Sequence, residues 1–470
     1  MKTIEINRVM LADSYKYSHS KQYPKGIISM YDYMESRGGK YGSTVFAGLQ
    51  GLLKTYFDKP ITIEEVNQAK AFAELHGIPF DIEGWEYIVK ELGGKLPVKI
   101  RAVPEGSVVP NHNVLMTIES TDSKVPWVAG WLETFLMKIW YPINIATKSA
   151  YVKKILMKYG SKEWAEFAYH NFGDRGSSTV EAAAIGGFAH LIPFRGTDNF
   201  NSLKYTFDNY FPASGKVTEV AGFSVFATEH STTTSHGKTG EISFVIKQLE
   251  QNPDSQIMSF VADSYDVFKF TNDVTMETSY VRNLIESRGQ KLVIRPDSGD
   301  PIQVINKILD IMMENDVPFE RVNNKILFKN YGVLWGDGIS PKTIDEILVF
   351  VTGKGFAAEN FVFGSGGDLM QNHSRDTQKF AIKCSSITLE DGTEVEVFKD
   401  PITDPGKKSK KGKVTTYFNT ESKQFFTDLI SKKDEFKTSI EILEDVWVDG
   451  EFVKETSLKE IREVFDPAFN

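Results

Sequence analysis

Four stretches of the chain are apolar at nearly every position, and each stops at a turn rich in aspartate or glycine. They are Ile257-Met258-Ser259-Phe260-Val261-Ala262-Asp263, Leu292-Val293-Ile294-Arg295-Pro296-Asp297-Ser298-Gly299, Val333-Leu334-Trp335-Gly336-Asp337-Gly338 and Phe361-Val362-Phe363-Gly364-Ser365-Gly366-Gly367. Strands that alternate polar and apolar residues have one wet face. Strands apolar throughout are covered on both faces, as in a parallel sheet. Each turn is followed by a helix start. Asp300 and Pro301 suit an N-cap and a first helical position, and Ile302, Ile305, Ile308, Leu309 and Met312 then line one face. Pro341 to Val349 predicts the next helix, stopped by Gly353. The turn residues recur at roughly 30–40 positions, as repeated strand–helix units require.

The flanks have a different rhythm. Ser43 to Asp58 carries a helical stripe of Phe46, Leu49, Leu52, Leu53 and Phe57. Thr62 is placed to cap a helix ending at Gly77. Val98–Val103 and Asn113–Ile118 read as strands, and Trp127–Tyr141 as one buried helix. After Phe380 the regular alternation ends in short strands and one short helix, able to fold back on the N-terminal region. The pattern predicts an α/β protein: an irregular, TIM-like α/β barrel over 163–379, beside an α+β domain built from 1–162 and 380–470.

Composition narrows the class. The 470 residues are 41% hydrophobic and 25% charged, ordinary for a water-exposed globular chain. A net charge of −9 argues against general nucleic-acid binding. One cysteine, Cys384, excludes an intramolecular disulfide and suits a reducing compartment. Neither a secretory leader nor a membrane span is expected, so a cytoplasmic location is.

The turns carry the chemistry. Arg295 can grip a phosphate bidentately, and Asp297 can bind sugar hydroxyls or a magnesium ion. Asp263 is a second catalytic and metal-binding candidate. Ser298, Gly299, Gly366 and Gly367 free backbone amides for an anion, and Arg375 adds charge for it. Gly336 and Asp337 repeat this logic with a carboxylate for a ribose. His230 ends another apolar stretch as a possible nucleophile or base, and the adjacent Glu229 is the candidate to fix its tautomer. Phe172 and Arg175 flank Gly173-Asp174, an aromatic face for a planar ring beside charge, and Asp198 ends a further strand. The basic run Lys407 to Lys413 reads as a solvated loop or as a polyphosphate contact.

Taken in order, the motifs Asp13-Ser14-Tyr15-Lys16, Thr44-Val45-Phe46-Ala47-Gly48-Leu49-Gln50, Val103-Pro104-Glu105-Gly106, Asp263-Ser264-Tyr265-Asp266, the Arg295 turn, Phe398-Lys399-Asp400-Pro401 and Ser409-Lys410-Lys411-Gly412 resemble the nicotinamide phosphoribosyltransferases, type II phosphoribosyltransferases. The resemblance is colinear over nearly the whole chain. It implies a homodimer with shared sites, acting on nicotinamide and phosphoribosyl pyrophosphate, with Mg2+ and with ATP as co-substrate. It implies that Phe172 and, from the other subunit, Tyr15 stack on the nicotinamide ring. Asp198 would bond the carboxamide, with Arg175 in the same pocket. Arg295, Asp297, Gly336, Asp337, Gly366, Gly367 and Arg375 would hold ribose and phosphate. His230 would be phosphorylated by ATP, and Lys383, Lys399 and Lys407 are candidates for pyrophosphate or ATP. Asp174 departs from the pattern, standing where vertebrate members have Tyr. The alternatives are a nicotinate phosphoribosyltransferase, which Asp198 disfavours by charge, and a non-catalytic signalling protein.

Overall fold

The computed structural model describes residues 6–212, 216–403 and 408–466. The chain divides into two compact units. One runs to Thr147, returns briefly from Asp208 and resumes at His373; the other spans Lys148–Phe207 and continues to Asn372.

The four apolar stretches are strands, and they are neighbours. Ile257–Val261, Lys291–Arg295, Tyr331–Trp335 and Phe361–Ser365 pair in parallel, in that order. Phe226–Ala227 joins in parallel at one edge and Tyr169–Asn171 at the other, giving six strands. Beyond Tyr169–Asn171, isolated parallel bridges join Asn171 to Thr197 and Gly196 to Phe223, just upstream of the opposite edge strand. The result is a mixed α/β unit around a curled parallel sheet. Tyr331, Val333, Leu334 and Trp335 are buried, as both-face coverage requires. Helix Pro301–Glu314 begins at the expected cap, with the Asp300 side chain accepting from Gln303 N–H, and buries Ile305, Ile308, Leu309 and Met312. Helix Pro341–Gly353 is capped by Ser340.

The other unit is built on a seven-stranded sheet that both flanks of the sequence supply. Ile27–Ser36 lies antiparallel to Phe380–Leu389 on one side and to Val114–Ser120 on the other. Val98–Ala102 pairs with Val114–Ser120 and with Glu444–Val448, so late strands do fold back on early ones. Phe380–Leu389 is itself ten residues long, not the short strand expected there. Helix Ile63–His76 carries the predicted ends: Thr62 and Glu65 form a reciprocal capping box, and Gly77 is left-handed at φ 79°.

Two expected helices differ. Ser43–Val45 is a strand paired with Val108–Pro110, and the helix begins only at Leu49, because Gly48 turns the chain at φ 94°. Trp127–Tyr141 is a series of short turns, Val128–Trp131, Glu133–Leu136 and Met137–Ile139, before a long helix Trp140–Leu156. Burial of Val128, Trp131, Phe135 and Leu136 was legible, but the breaks were not.

Helix Leu49–Phe57 has no cap of its own. Instead the buried Glu105 accepts from Gly48 N–H and Gln50 N–H, both at 2.8 Å. Burial pushes this carboxyl up, while those amides and the Tyr210 hydroxyl pull it back. Glu105→Ala should orphan both amides and cost about 2–6 kcal/mol, at about 1–3 kcal/mol for each buried unsatisfied donor. The check is the denaturant midpoint; a loss below about 1 kcal/mol would show that water replaces the carboxylate.

Candidate active site

Parallel strands release their following turns at a common edge, which brings together residues remote in sequence. Asp263 follows strand Ile257–Val261 and is the hub of this edge. Its side chain is 8% exposed. Oδ1 lies 3.0 Å from His230 Nε2. Oδ2 accepts from Asp297 N–H at 3.1 Å and from Ser298 Oγ–H at 2.5 Å. Burial alone would raise the Asp263 pKa, but these partners outweigh it and hold the carboxyl below its ordinary value.

The acid facing His230 is therefore Asp263, not Glu229. Neighbouring residues at a helix start diverge, and the Glu229 carboxylate takes the Ser231 hydroxyl instead. His230 opens helix His230–Thr234, and its side chain is 47% exposed. With Nε2 held by Asp263, Nδ1 has no hydrogen bond among the described residues.

Asp297 is half-buried and is raised above the usual Asp range, first by burial and then by the charges of Asp263 and Asp337, against Arg295 and His230. A Cβ on Gly336 would sit 2.9 Å from Asp297 Oδ1, so glycine there leaves the carboxylate room. Asp337 is exposed beside it. Arg295 ends its strand half-buried, with Nε shut off from solvent and unbonded. Among the described residues its guanidinium makes neither a hydrogen bond nor an ion pair. A cation kept without a partner in a partly buried turn is suited to an anion that arrives from outside. Gly366 and Gly367 lie at the end of strand Phe361–Ser365, opening the short helix Gly367–Gln371.

Phe172 is seated in the same unit by glycine. A Cβ on Gly364 would come within 2.6 Å of the Phe172 ring. Two residues back on the same strand face, His170 tilts against it, ring centroids 4.8 Å apart. His170 Nε2 lies 2.7 Å from Asp198 Oδ1, and Ser224 Oγ donates to the same oxygen at 2.5 Å. Burial would raise Asp198, yet His170, Ser224 and the charge of Arg295 bring it below its ordinary value. Arg175 is exposed next to Phe172 and unpaired among the described residues.

His170 and Ser224 were not among the sequence candidates. The period of two along a strand, which puts His170 on the face of Phe172, was the signal that could have found the first. Nothing local marks Ser224. The Ser298 hydroxyl was likewise passed over in favour of its backbone amide.

Tyr15, Arg375, Lys383 and Lys399 belong to the other unit. Tyr15 is 58% exposed. Arg375 pairs with Asp376 at 3.1 Å, and Lys383 reaches Glu133 at 3.3 Å. Lys399 is exposed, and Lys407 lies outside the described residues.

No set of three His, Cys, Asp or Glu side chains converges on a metal position among the described residues. Asp263, with both oxygens engaged, is a hydrogen-bond hub rather than an open metal ligand. Asp297 fits a divalent ion better, since Asp263 and Asp337 set two further negative charges near it, although Arg295 already offsets part of that field.

Residues 167–438 match the nicotinate phosphoribosyltransferase family, and residues 7–100 match the N-terminal domain of nicotinamide phosphoribosyltransferase. A nicotinamide phosphoribosyltransferase of Xanthomonas campestris pv. campestris is 42% identical, over 98% of both chains. The chain belongs to the nicotinamide phosphoribosyltransferase family. Another member, from Acinetobacter baylyi, is 30% identical over 98% of this chain and 97% of its own. The fold is shared more widely. A nicotinate-nucleotide pyrophosphorylase from Pyrococcus furiosus superposes with a TM-score of 0.61 at 15% identity, covering 100% of this chain and 99% of that one. Human nicotinic acid phosphoribosyltransferase gives 0.55 at 14%, covering 98% and 93%. No helix among the described residues is long and apolar enough to cross a membrane.

The Asp263 hub yields a direct test. Ser298→Ala removes a donor to the charged form, so the Asp263 carboxyl should titrate at higher pH. Glu229→Gln should leave it unmoved. Carboxyl carbon NMR shifts against pH measure both; a shift caused by Glu229→Gln instead would reverse the assignment of the acid that faces His230.

Proposed function

We propose that this enzyme joins nicotinamide to the phosphoribosyl group of phosphoribosyl pyrophosphate. The observation that carries the reading is Asp198: one oxygen is saturated by His170 and Ser224, and the other is left to accept from a carboxamide near the ring seat of Phe172. The curled sheet, with its bridges running on to Phe223, is read as an irregular barrel closed through the 223–227 segment.

The pyridine nitrogen attacks C1 of the ribose, the C1–N bond forms, and the C1–O bond breaks as pyrophosphate leaves. Phe172 stacks on the ring, and Tyr15 of a second copy covers the opposite face in a homodimer with shared sites. Arg175 borders the ring. Asp337 and Asp297 take the ribose hydroxyls. Arg295 and the Gly366 and Gly367 amides hold the phosphate, with Arg375 added to them. Positioning and charge neutralisation supply the rate, since the developing cation needs no covalent help. Asp297 is the residue suited to a Mg2+ ion, which when bound would neutralise the pyrophosphate. Lys383, Lys399 and Lys407 are assigned to pyrophosphate or ATP. A lone cysteine suits a cytoplasmic setting.

His230 is read as the acceptor of the γ-phosphate of ATP. Asp263 holds Nε2, so Nδ1 attacks phosphorus, the P–N bond forms and ADP departs. Water later cleaves that bond, coupling ATP hydrolysis to synthesis.

Asp198→Asn removes the charge that repels an acid and accepts from an amide. The ratio of kcat/KM for nicotinamide to that for nicotinate should fall at least about tenfold, the size of one charged hydrogen bond; an unchanged ratio would refute the assignment.

For ATP coupling, γ-labelled ATP should leave an acid-labile label on His230. His230→Ala should lose the label and the ATPase while keeping basal synthesis. A label mapped to another residue, or full ATP stimulation in the variant, would end the phosphohistidine role.

A further inference from the structure

Asp198 is the end of a chain of contacts, not an isolated carboxylate. Its Oδ1 takes both His170 Nε2, at 2.7 Å, and Ser224 Oγ–H, at 2.5 Å. The His170 ring is held on two sides. Phe172 packs against it, and Gly196 is so close that a Cβ there would stand 2.6 Å from Nδ1. The imidazole therefore has little freedom to swing away. Facing a carboxylate oxygen, Nε2 carries the proton.

We propose that His170 and Ser224 are positioning residues that determine specificity, holding Asp198 as an acceptor-only carboxylate and so setting the preference for a pyridine carboxamide over the corresponding acid. The proposal rests on the reading of Asp198 as the carboxamide partner. Two donors on Oδ1 leave Oδ2 as the acceptor that no described residue occupies and tether the carboxylate beside the His170 ring that packs on Phe172. They also oppose the effect of burial. A carboxyl taken partly out of water gains a proton more readily unless donors stabilise its charged form. A protonated Asp198 would donate to a carboxylate and admit the acid. An ionised one repels it. Discrimination thus belongs to the trio, because the donors decide which form of Asp198 the substrate meets. The cost of leaving a site's polar groups unpaired is what makes such discrimination steep.

Three variants test this: Ser224→Ala, His170→Leu and His170→Gln, in which the glutamine amide reaches about as far as Nε2 and keeps a donor. The measurement is kcat and KM for nicotinamide and for nicotinate in the full-length enzyme. Ser224→Ala and His170→Leu should each lower the ratio of the two kcat/KM values by about tenfold, the size of one hydrogen bond to a charged group. The change should appear as a raised KM for nicotinamide with kcat largely kept, since the chemistry at C1 is untouched. His170→Gln should recover most of the ratio. Ser224 lies on an exposed segment, so its alanine variant tests the donor even if His170→Leu fails to fold. The proposal is overturned if Ser224→Ala leaves the ratio within about twofold of wild type. It is also overturned if His170→Gln is no better than His170→Leu, which would make the histidine a packing residue. Asp198→Asn separates the two levels. A collapsed ratio there, with Ser224→Ala and His170→Leu unaffected, overturns the positioning role alone. An unchanged ratio in Asp198→Asn overturns both.

Discussion

Parallel pairing of doubly buried strands is the constraint on which the site depends. A strand covered on both faces must satisfy its backbone with neighbours, and strands running one way deliver every following turn to one edge. Ile257–Val261, Lys291–Arg295 and Tyr331–Trp335 thereby bring Asp263, Asp297 and Asp337 together from distant parts of the sequence. Asp263 then ties two of those turns to a third segment through His230, Ser298 and the Asp297 amide.

The electrostatics of that edge are poorly optimised for stability alone. Asp297 is raised by its burial and by like charges, and Arg295 stands beside these carboxylates without bonding to any of them among the described residues. Folded proteins usually pair a half-buried guanidinium. Here the geometry keeps cation and anions close but unsatisfied, as a site does when its missing partners come with the substrate. Asp198 shows the opposite treatment. Its charge is secured in advance by His170 and Ser224, the condition that the proposed discrimination between amide and acid requires.

The legible parts of the fold were those governed by local rules. Continuous apolar runs marked the parallel strands, and Thr62, Gly77, Asp300 and Pro301 marked helix ends through capping and fixed backbone angles. The missed parts depend on contacts between remote residues. The strand at Ser43–Val45 exists because Val108–Pro110 lies beside it, and the breaks in Trp127–Ile139 leave no Pro or cap signal. In the site, the turn residues were named because their types carry chemistry. Ser224 went unnamed because its link to Asp198 arises only from a shared oxygen, which no spacing encodes, whereas His170 could have been read from its place two residues before Phe172. Adjacency misled at Glu229 for the same reason: the partner of His230 lies 33 residues downstream.

The seven-stranded sheet has a consequence for how the protein is made. Ile27–Ser36 is a central strand whose partner, Phe380–Leu389, is translated some 350 residues later. At about 5–20 residues per second, that strand leaves the ribosome about 20–70 s before the partner exists. The unit carrying Asp263 and Arg295 is complete within that interval, while Met30, Tyr33 and Met34 wait with an open strand edge. Until then the backbone groups along that edge lack their partner strand, an exposure set by the order of the strands along the chain.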